Sequence, residues 1–561
     1  MLDNESVMTY AFKNKGLFCQ AVLIVKYIYN EEAVMKTRTA GVLCFIFLFI
    51  SVFFTPFGQA SAAEKEFFIS KIYVIGYTRI STQDLAQITK AYEGKNLTLA
   101  DLKKVAELIT DEYKKRGYIL SSAYVPEQNI VNGTAEIAVI EGKIGDVIVQ
   151  GNHKYYSTDF IKKHFERVKK DNALDQDKLE RALLVLNEYP KLNVKATLQP
   201  GKEPGTSDLV ITADNSIPVQ ATLDYNNYGS RFIGRNRYGA TFDIGNLVKE
   251  GALFSLHGVT GDDPSDILFG RASYSIPINN LGSRAGIYYS RGDSDVGGEY
   301  AALNMKGKSE AFGMYITHPF IKKASRTLTA EFDFDAKNSK QYLLGDLTSK
   351  DYIRSVRGSV TFEDIDLTGR TTTALAVSQG LGHILGGMPN DSDESSRLSG
   401  HADNRYTKFN LDLIRLQRVY PFYKGEAFVY AILKASGQWS INSLVANEQF
   451  SIGGADSVRG YTESEFMGDH GYAATAEIRV MPLKQKELLQ FAFFIDNGGV
   501  IVRSPAPGES KQHNLTGGGA GVRMQLPYDI YLKTDVGFPI KPCDNSEDRK
   551  PLVYLQALKR F

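Results

Sequence analysis

Two residues stand out as capable of a specific chemistry. Arg459 lies in SIGGADSVRGYTESEF, a Gly-rich polar stretch, between Val458 and the pair Gly460 and Tyr461. Asp496 interrupts the apolar run LLQFAFFIDNGGV, with Phe494 two places before it and Gly498 two places after. A guanidinium and a carboxylate can form a bidentate ion pair that fixes orientation as well as charge. Such a pair is a clasp rather than a catalyst. Catalytic signatures are missing: there is no HExxH and no GxSxG, and the eight histidines are dispersed. MKGKS at 305–309 ends like a phosphate loop, but Ala302 stands where glycine is needed. No enzymatic activity, metal, cofactor or nucleotide is therefore expected.

The elements around this pair read as strands. If Phe493 and Ile495 take one face, Phe494, Asp496 and Gly498 take the other, and small Gly498 leaves room for something packed on the wall. Period-two alternation runs from about residue 217 to the end. LTAEFDFD (328–335) alternates Leu, Ala, Phe and Phe with Thr, Glu, Asp and Asp. YAATAEIRV (472–480) sets Tyr472, Ala474, Ala476, Ile478 and Val480 against Ala473, Thr475, Glu477 and Arg479. In 520–526 and 530–538 the polar face carries Arg523, Gln525, Lys533 and Asp535.

A soluble sandwich also alternates, but this many strands exceed one soluble core. A closed barrel in lipid, polar within, removes the edges. Short connections recur at 246–251, 276–282, 318–325, 366–369, 420–425, 481–486 and 526–529. Long polar loops fall at 226–237, 260–266, 291–305, 337–351, 381–405, 439–470, 500–516 and 541–549. Seven short and eight long connections give sixteen strands, with short turns on the periplasmic rim. Arg459 then belongs to the sixth long loop and Asp496 to strand 13. Sixteen strands leave an aqueous lumen. Phe561 ends the chain as an aromatic often ends such barrels, although Lys559 sits where an apolar residue is expected. Composition agrees: 31 Tyr, 31 Phe and 50 Gly among 561 residues suit strands apolar on one face only. A net charge of +1 gives no reason to expect nucleic acid.

Ahead of the strands lie two similar modules. KIYVIGYTRIS (71–81) and DVIVQGNHKYYS (146–157) each read as strand, glycine, polar turn and helix cap. Helical periodicity follows, with apolar Leu102, Val105, Leu108 and Ile109 in the first and Leu179, Leu183 and Leu186 in the second. AEIAVIEGK (135–143) and SDLVITADN (207–215) close them in a shared β-α-α-β-β order. Two ordinary α+β domains would satisfy this pattern. It also resembles polypeptide-transport-associated (POTRA) domains, whose exposed sheet edge can add a client strand.

At the N-terminus, Lys36 and Arg38 precede the apolar run 40–56, and Ala60-Ser61-Ala62 follows. This reads as a cleaved export signal with Met35 as the true start, the rival being a membrane anchor. Cys19, Cys44 and Cys543 are too few and too scattered for a disulfide framework or a zinc site.

Val458-Arg459-Gly460-Tyr461 in the sixth loop and FxDxG at Phe494, Asp496 and Gly498 in strand 13 together resemble the two-partner secretion transporters, the TpsB family of haemolysin secretion/activation proteins. The resemblance covers the whole mature chain. It implies a fold of α+β POTRA-like domains followed by an all-β, 16-stranded antiparallel transmembrane barrel. It implies these divisions: 1–62 signal with an over-extended start, 67–142 first POTRA, 143–215 second POTRA and 217–561 barrel. It also implies that the sixth loop folds into the lumen and that Arg459 pairs with Asp496. Many relatives carry a plug helix before the first module; only a few residues separate Ala63 from the strand near Phe67, so none is expected here. The expected function is export of a large secreted β-helical exoprotein across the outer membrane, in contact with outer-membrane lipid, with the POTRA domains in the periplasm. The rival is a barrel-assembly insertase of the Bam type, and two modules rather than about five favour secretion. A passive porin would not need the modules.

Overall fold

The computed structural model describes residues 65–561 apart from 171–173, 204, 398–400, 423–426, 484–487 and 542–549. The proposed signal segment, the region where a plug helix would fall, and Cys543 lie outside the described residues.

The chain divides into one unit ending at Gly142 and a second running from Lys143 to Phe561. In the first unit, strand Lys71–Ile75 pairs in parallel with Thr134–Ile140, which pairs antiparallel with Ser122–Tyr124. Helices Thr82–Thr89 and Leu99–Lys115 cover this sheet; Ser81 caps the first, and Thr98 with Asp101 forms a capping box on the second. Leu102, Val105, Ala106, Ile109 and Tyr113 form the buried stripe, while Leu108 faces out, 40% exposed. The stripe continues through Ala106 and Tyr113 rather than Leu108.

Gly76 ends the first strand at φ +80°, and a Cβ there would stand 2.4 Å from the Val139 carbonyl oxygen, so only glycine fits. The turn after it is tied down by Glu141. Its carboxylate accepts from Thr78 N at 2.7 Å, Arg79 N at 2.9 Å and the Tyr113 hydroxyl at 2.7 Å. Burial works to raise the Glu141 pKa, but these donors outweigh it and hold the carboxyl below its ordinary value. The stabilisation is thus complete above the ordinary carboxylate pKa and lost as pH falls through the lower folded value. Glu141→Gln is expected to cost the first unit about 2 kcal/mol at neutral pH. Faster hydrogen exchange in Leu99–Lys115, with barrel strands unchanged, is the readout.

The second unit opens with the same sheet plan: Lys143–Gln150 parallel to Thr206–Asn215, which is antiparallel to Leu192–Pro200. Gly151 repeats the role of Gly76 at φ +100°, its missing Cβ facing the Ala213 carbonyl at 2.5 Å. Helices Thr158–Lys163, Glu166–Lys170 and Gln176–Leu186 complete the module.

This module is fastened to the short turns of the barrel. Arg181 donates to the Leu281 carbonyl at 2.9 Å, the Phe320 carbonyl at 3.3 Å and the Pro319 carbonyl. Lys323 pairs with Asp177 at 2.7 Å, and Ala324 N donates to Glu180 at 2.7 Å. Arg181→Ala strands three carbonyls at a packed junction. It is expected to loosen the module by about 2–3 kcal/mol, read as faster hydrogen exchange over 157–191.

Sixteen antiparallel strands then close into a barrel, from Val219–Asn226 to Leu552–Arg560. The last strand pairs with the first over Gln556↔Asn226 to Arg560↔Thr222. The described short connections fall where the sequence places them, although 318–325 narrows to 323–325 because strand 6 (Lys306–Lys322) runs on through Lys322, and strand 10 (Thr407–Phe422) likewise runs into 420–425, whose remainder lies outside the described residues. The loop expected at 337–351 is replaced by strand. Arg326–Leu343 and Asp346–Ile365 pair almost to their ends, leaving 344–345 as the turn. Beyond the bilayer neither face needs to be apolar, so the alternation that marks a strand fades while the ladder continues. Lys559 points outward at the rim, donates to the Tyr528 carbonyl at 2.6 Å and lies over the Phe561 ring at 5.1 Å. Its charged end thus reaches the interface while its stem stays on the wall.

Candidate functional site: the sixth loop inside the barrel

The sixth long loop joins strand 11 (Ala427–Ser440) to strand 12 (His470–Met481) and turns into the lumen. A hairpin of Phe450–Ile452 against Phe466–Gly468 carries it inward. Gly453 and Gly454, at φ +106° and +99°, reverse the chain above the tip. The tip is buried: Val458, Arg459 and Tyr461 are 0%, 5% and 1% exposed. Val458 and Tyr461 join Phe450 and Ile452 in an apolar cluster with Val500 and Leu515 of the wall.

Arg459 meets Asp496 of strand 13 (Leu489–Ile501). Nε donates to Oδ2 at 2.7 Å, Nη2 to Oδ1 at 3.0 Å, and the Arg459 backbone N–H to Oδ2 at 3.1 Å. The guanidinium carbon lies 3.3 Å from the centre of the Phe494 ring, a cation–π contact from the same strand. Phe494 and Asp496 face inward, and Phe493 and Ile495 face out, as their alternation requires. A Cβ on Gly498 would stand 2.9 Å from Val458 Cγ2, so the glycine makes the seat for the tip.

The pair belongs to a larger cluster. Arg459 Nη1 also donates to Glu477 of strand 12 at 3.0 Å and to Asp535 of strand 15 (Ile530–Pro539) at 3.3 Å. Arg523 of strand 14 (Gln512–Leu526) holds Asp535 at 2.5 and 3.0 Å. Arg479 holds Glu477 at 2.6 Å. Lys533 of strand 15 adds a fourth cation 3.7 Å from Asp535, so three guanidinium groups and one ammonium share three carboxylates. Burying such ions is tolerable only when each keeps its partner. Gly460 N–H donates to the Tyr554 hydroxyl at 2.9 Å, and that hydroxyl donates to the Tyr461 carbonyl at 2.7 Å. Tyr554 lies on strand 16, so the tip touches the strand that closes the barrel.

The base of the loop has its own anchors. Asp469 accepts from Arg397 at 2.7 Å, from Leu444 N at 2.6 Å and from Arg503 N at 2.8 Å. Glu448, 3% exposed, pairs with Lys408 at 2.8 Å and Lys337 at 3.2 Å. Lys337→Ala and Lys408→Ala together leave Glu448 buried without a cation. The double variant is expected to weaken the loop base by about 3 kcal/mol, checked by proteolysis of 441–452 from the cell exterior.

The sequence reading pairs Arg459 with Asp496 and puts Glu477, Arg523 and Asp535 on the polar face of their strands without assigning them to the site; Tyr554 it does not name. Each of these sits at an ordinary lumen-facing position in its own strand, and only the loop's path brings them together.

A wide barrel that carries an α+β module on its short-turn rim and holds its own loop inside defines a polypeptide-transporting outer-membrane channel. The family model for the haemolysin secretion/activation proteins ShlB/FhaC/HecB matches residues 205–524, and that for the ShlB-type POTRA domain matches 67–142. The chain belongs to this family, and it is an outer-membrane secretion transporter with its POTRA domains in the periplasm. It is 25% identical over 490 residues to the heme/hemopexin transporter protein HuxB of Haemophilus influenzae, covering 86% of this chain and 85% of that one. It is 21% identical over 477 residues to the outer membrane transporter CdiB of Dickeya dadantii, covering 82% and 81%. Among solved structures, CdiB from Escherichia coli superposes with a TM-score of 0.73 at 19% identity, over 90% of this chain and 93% of that one. BamA from Haemophilus ducreyi gives 0.51 at 15% identity, over 88% and 100%. The family match favours secretion over barrel assembly.

Proposed function

We propose that the chain exports one large β-helical exoprotein, and that its sixth loop is the gate, locked to the wall by Val458, Arg459, Gly460, Tyr461, Phe494, Asp496 and Gly498. An export leader in residues 1–62, POTRA domains at 67–142 and 143–215 and a barrel from 217 onward form part of this reading. The client docks on the sheet edges of the modules and passes the lumen extended, while outer-membrane lipid surrounds the barrel. Folding of the client outside then makes backsliding unfavourable, which suits a protein with no recognisable nucleotide motif. The observation that carries the reading is the buried contact of Arg459 with Asp496, made from a loop to the inner wall of a barrel wide enough for a chain. Deleting the gene and comparing culture supernatants tests it. Loss of one large protein supports secretion, and a general loss of outer-membrane barrels assigns the chain to assembly instead.

A further inference from the structure

The outward surface of barrel strands 6–8 carries a charge arrangement that secretion does not use. These strands are Lys306–Lys322, Arg326–Leu343 and Asp346–Ile365; the ladder to strand 9 stops at Ser355↔Gly380, so strand 8 and its partner strand 7 run past strand 9 on the long-loop side, while strand 6 ends level with strand 5 at Lys306↔Asp295. Paired residues share a face of a sheet, so register fixes which side chains stand together. On strand 6, Ile316, Met314 and Phe312 face the bilayer and are 53%, 47% and 40% exposed. Two further steps of two along that face give Glu310 and Lys308. On strand 7 the face that begins with Phe332 leads to Asn338 and Lys340. On strand 8 the face of Val360 leads to Tyr352 and Lys350. The ladders pair Lys308 with Lys340 and Lys340 with Lys350, directly beyond the row Glu310, Asn338 and Tyr352.

The apolar band of such barrels is about 25 Å tall, and the outward residues from Phe320 to Phe312 span roughly that height. The lysine row therefore stands at the depth of the outer-leaflet headgroups. Like charges directly opposite each other destabilise a sheet. The neighbouring cations are matched: Arg291 to Asp293 at 3.2 Å, Lys306 to Asp295 at 2.8 Å and Lys350 to Glu394 at 2.7 Å. Among the described residues, Lys308 and Lys340 have no carboxylate at ion-pair distance. Lys308 lies 5.6 Å from the centre of the Tyr342 ring, and Lys340 stands one row beyond Tyr352 and Glu310, the latter attracting it from outside ion-pair distance. Tyrosines beside lysines at this depth form the amphipathic collar of a membrane interface.

We propose that Lys308 and Lys340, with Lys350 beside them, bind the phosphate of an outer-leaflet lipid headgroup, the lipid being a phosphorylated glycolipid. One phosphate between the two ammonium groups turns their repulsion into attraction. The site lies on the opposite side of the wall from the Arg459 cluster and needs no movement of the sixth loop.

Native mass spectrometry of the purified full chain tests this. The probes are a bis-phosphorylated lipid A, its dephosphorylated form, phosphatidylglycerol and inorganic phosphate. The phosphorylated glycolipid is expected to bind roughly tenfold more tightly than its dephosphorylated form. Lys308→Ala with Lys340→Ala is expected to remove that preference, while Lys202→Ala, on the second module, keeps it. Heat-modifiable mobility establishes that each variant is a folded barrel, and Lys308→Gln with Lys340→Gln repeats the loss if the alanine pair does not fold. Unchanged binding by the folded double variant, or equal binding of the dephosphorylated glycolipid, would overturn the site. Equal binding of phosphatidylglycerol would overturn the glycolipid assignment. Inorganic phosphate competing at the lipid's own concentration would reassign the site to a free anion.

Discussion

Asp496→Ala is expected to lower export of the partner by at least tenfold while the barrel still reaches the membrane. The variant deletes the acceptor of three hydrogen bonds from Arg459 and leaves four cations of the cluster with two carboxylates. Removing one partner of a buried ion pair costs about 3–5 kcal/mol, most of it from the charge left behind. The guanidinium keeps Glu477 and Asp535 but loses its bidentate seat, so the tip no longer has one preferred position. Arg459→Ala should match the loss of export from the opposite side, leaving the buried Asp496 carboxylate without its guanidinium. Arg459→Lys should restore little, because an ammonium cannot span both Asp496 oxygens while reaching Glu477. Partner protein in the supernatant, divided by folded barrel in the membrane, is the quantity to compare. Wild-type export by both Asp496→Ala and Arg459→Ala would remove the clasp from the mechanism.

Gly517→Val and Gly537→Val are expected to unseat the loop without touching a charge. A Cβ on Gly517 of strand 14 would run into the Arg459 carbonyl, and one on Gly537 of strand 15 would stand 2.5 Å from Gly460 N. Both contacts are with the backbone of the tip, which no rotamer change relieves. Valine suits a strand, so assembly of the barrel should survive. With its seat filled the loop should leave the lumen, giving a several-fold larger single-channel conductance in planar bilayers and export as low as that of Asp496→Ala. Unchanged conductance in both variants would mean that the loop is not what narrows the pore.

The sequence carries the barrel well because lipid imposes a strict rule. One face of every spanning strand must be apolar, as in Phe493 and Ile495 against Phe494 and Asp496. Where lipid ends, the rule ends, and 337–351 looks like a loop although its backbone ladder continues. The Arg459–Asp496 contact is readable because each residue is odd in its own surroundings. Glu477, Arg523 and Asp535 are not odd, since a wet lumen accepts charges at any inward position. Their convergence depends on how far the sixth loop descends, which no local pattern encodes. The anchors at Asp469 and Glu448 are hidden for the same reason: Arg397, Lys337 and Lys408 come from three other segments. The two modules are legible through Gly76 and Gly151, each required at the same point by a carbonyl of the neighbouring strand. The grip of Arg181 on the barrel turns is not legible, because its acceptors are backbone carbonyls that any residue would supply.

A disulfide between the loop tip and the wall tests the central claim most directly. A Cβ on Gly498 would stand 2.9 Å from Val458 Cγ2, the place a thiol sulfur takes, so Val458→Cys with Gly498→Cys brings the two side chains within reach of a disulfide. The lock predicts that this bond forms in the outer membrane of living cells, that the oxidised transporter retains its partner protein in the periplasm, and that reductant restores export. Failure of the two cysteines to join in a correctly folded barrel, or undiminished export by the joined form, would contradict it.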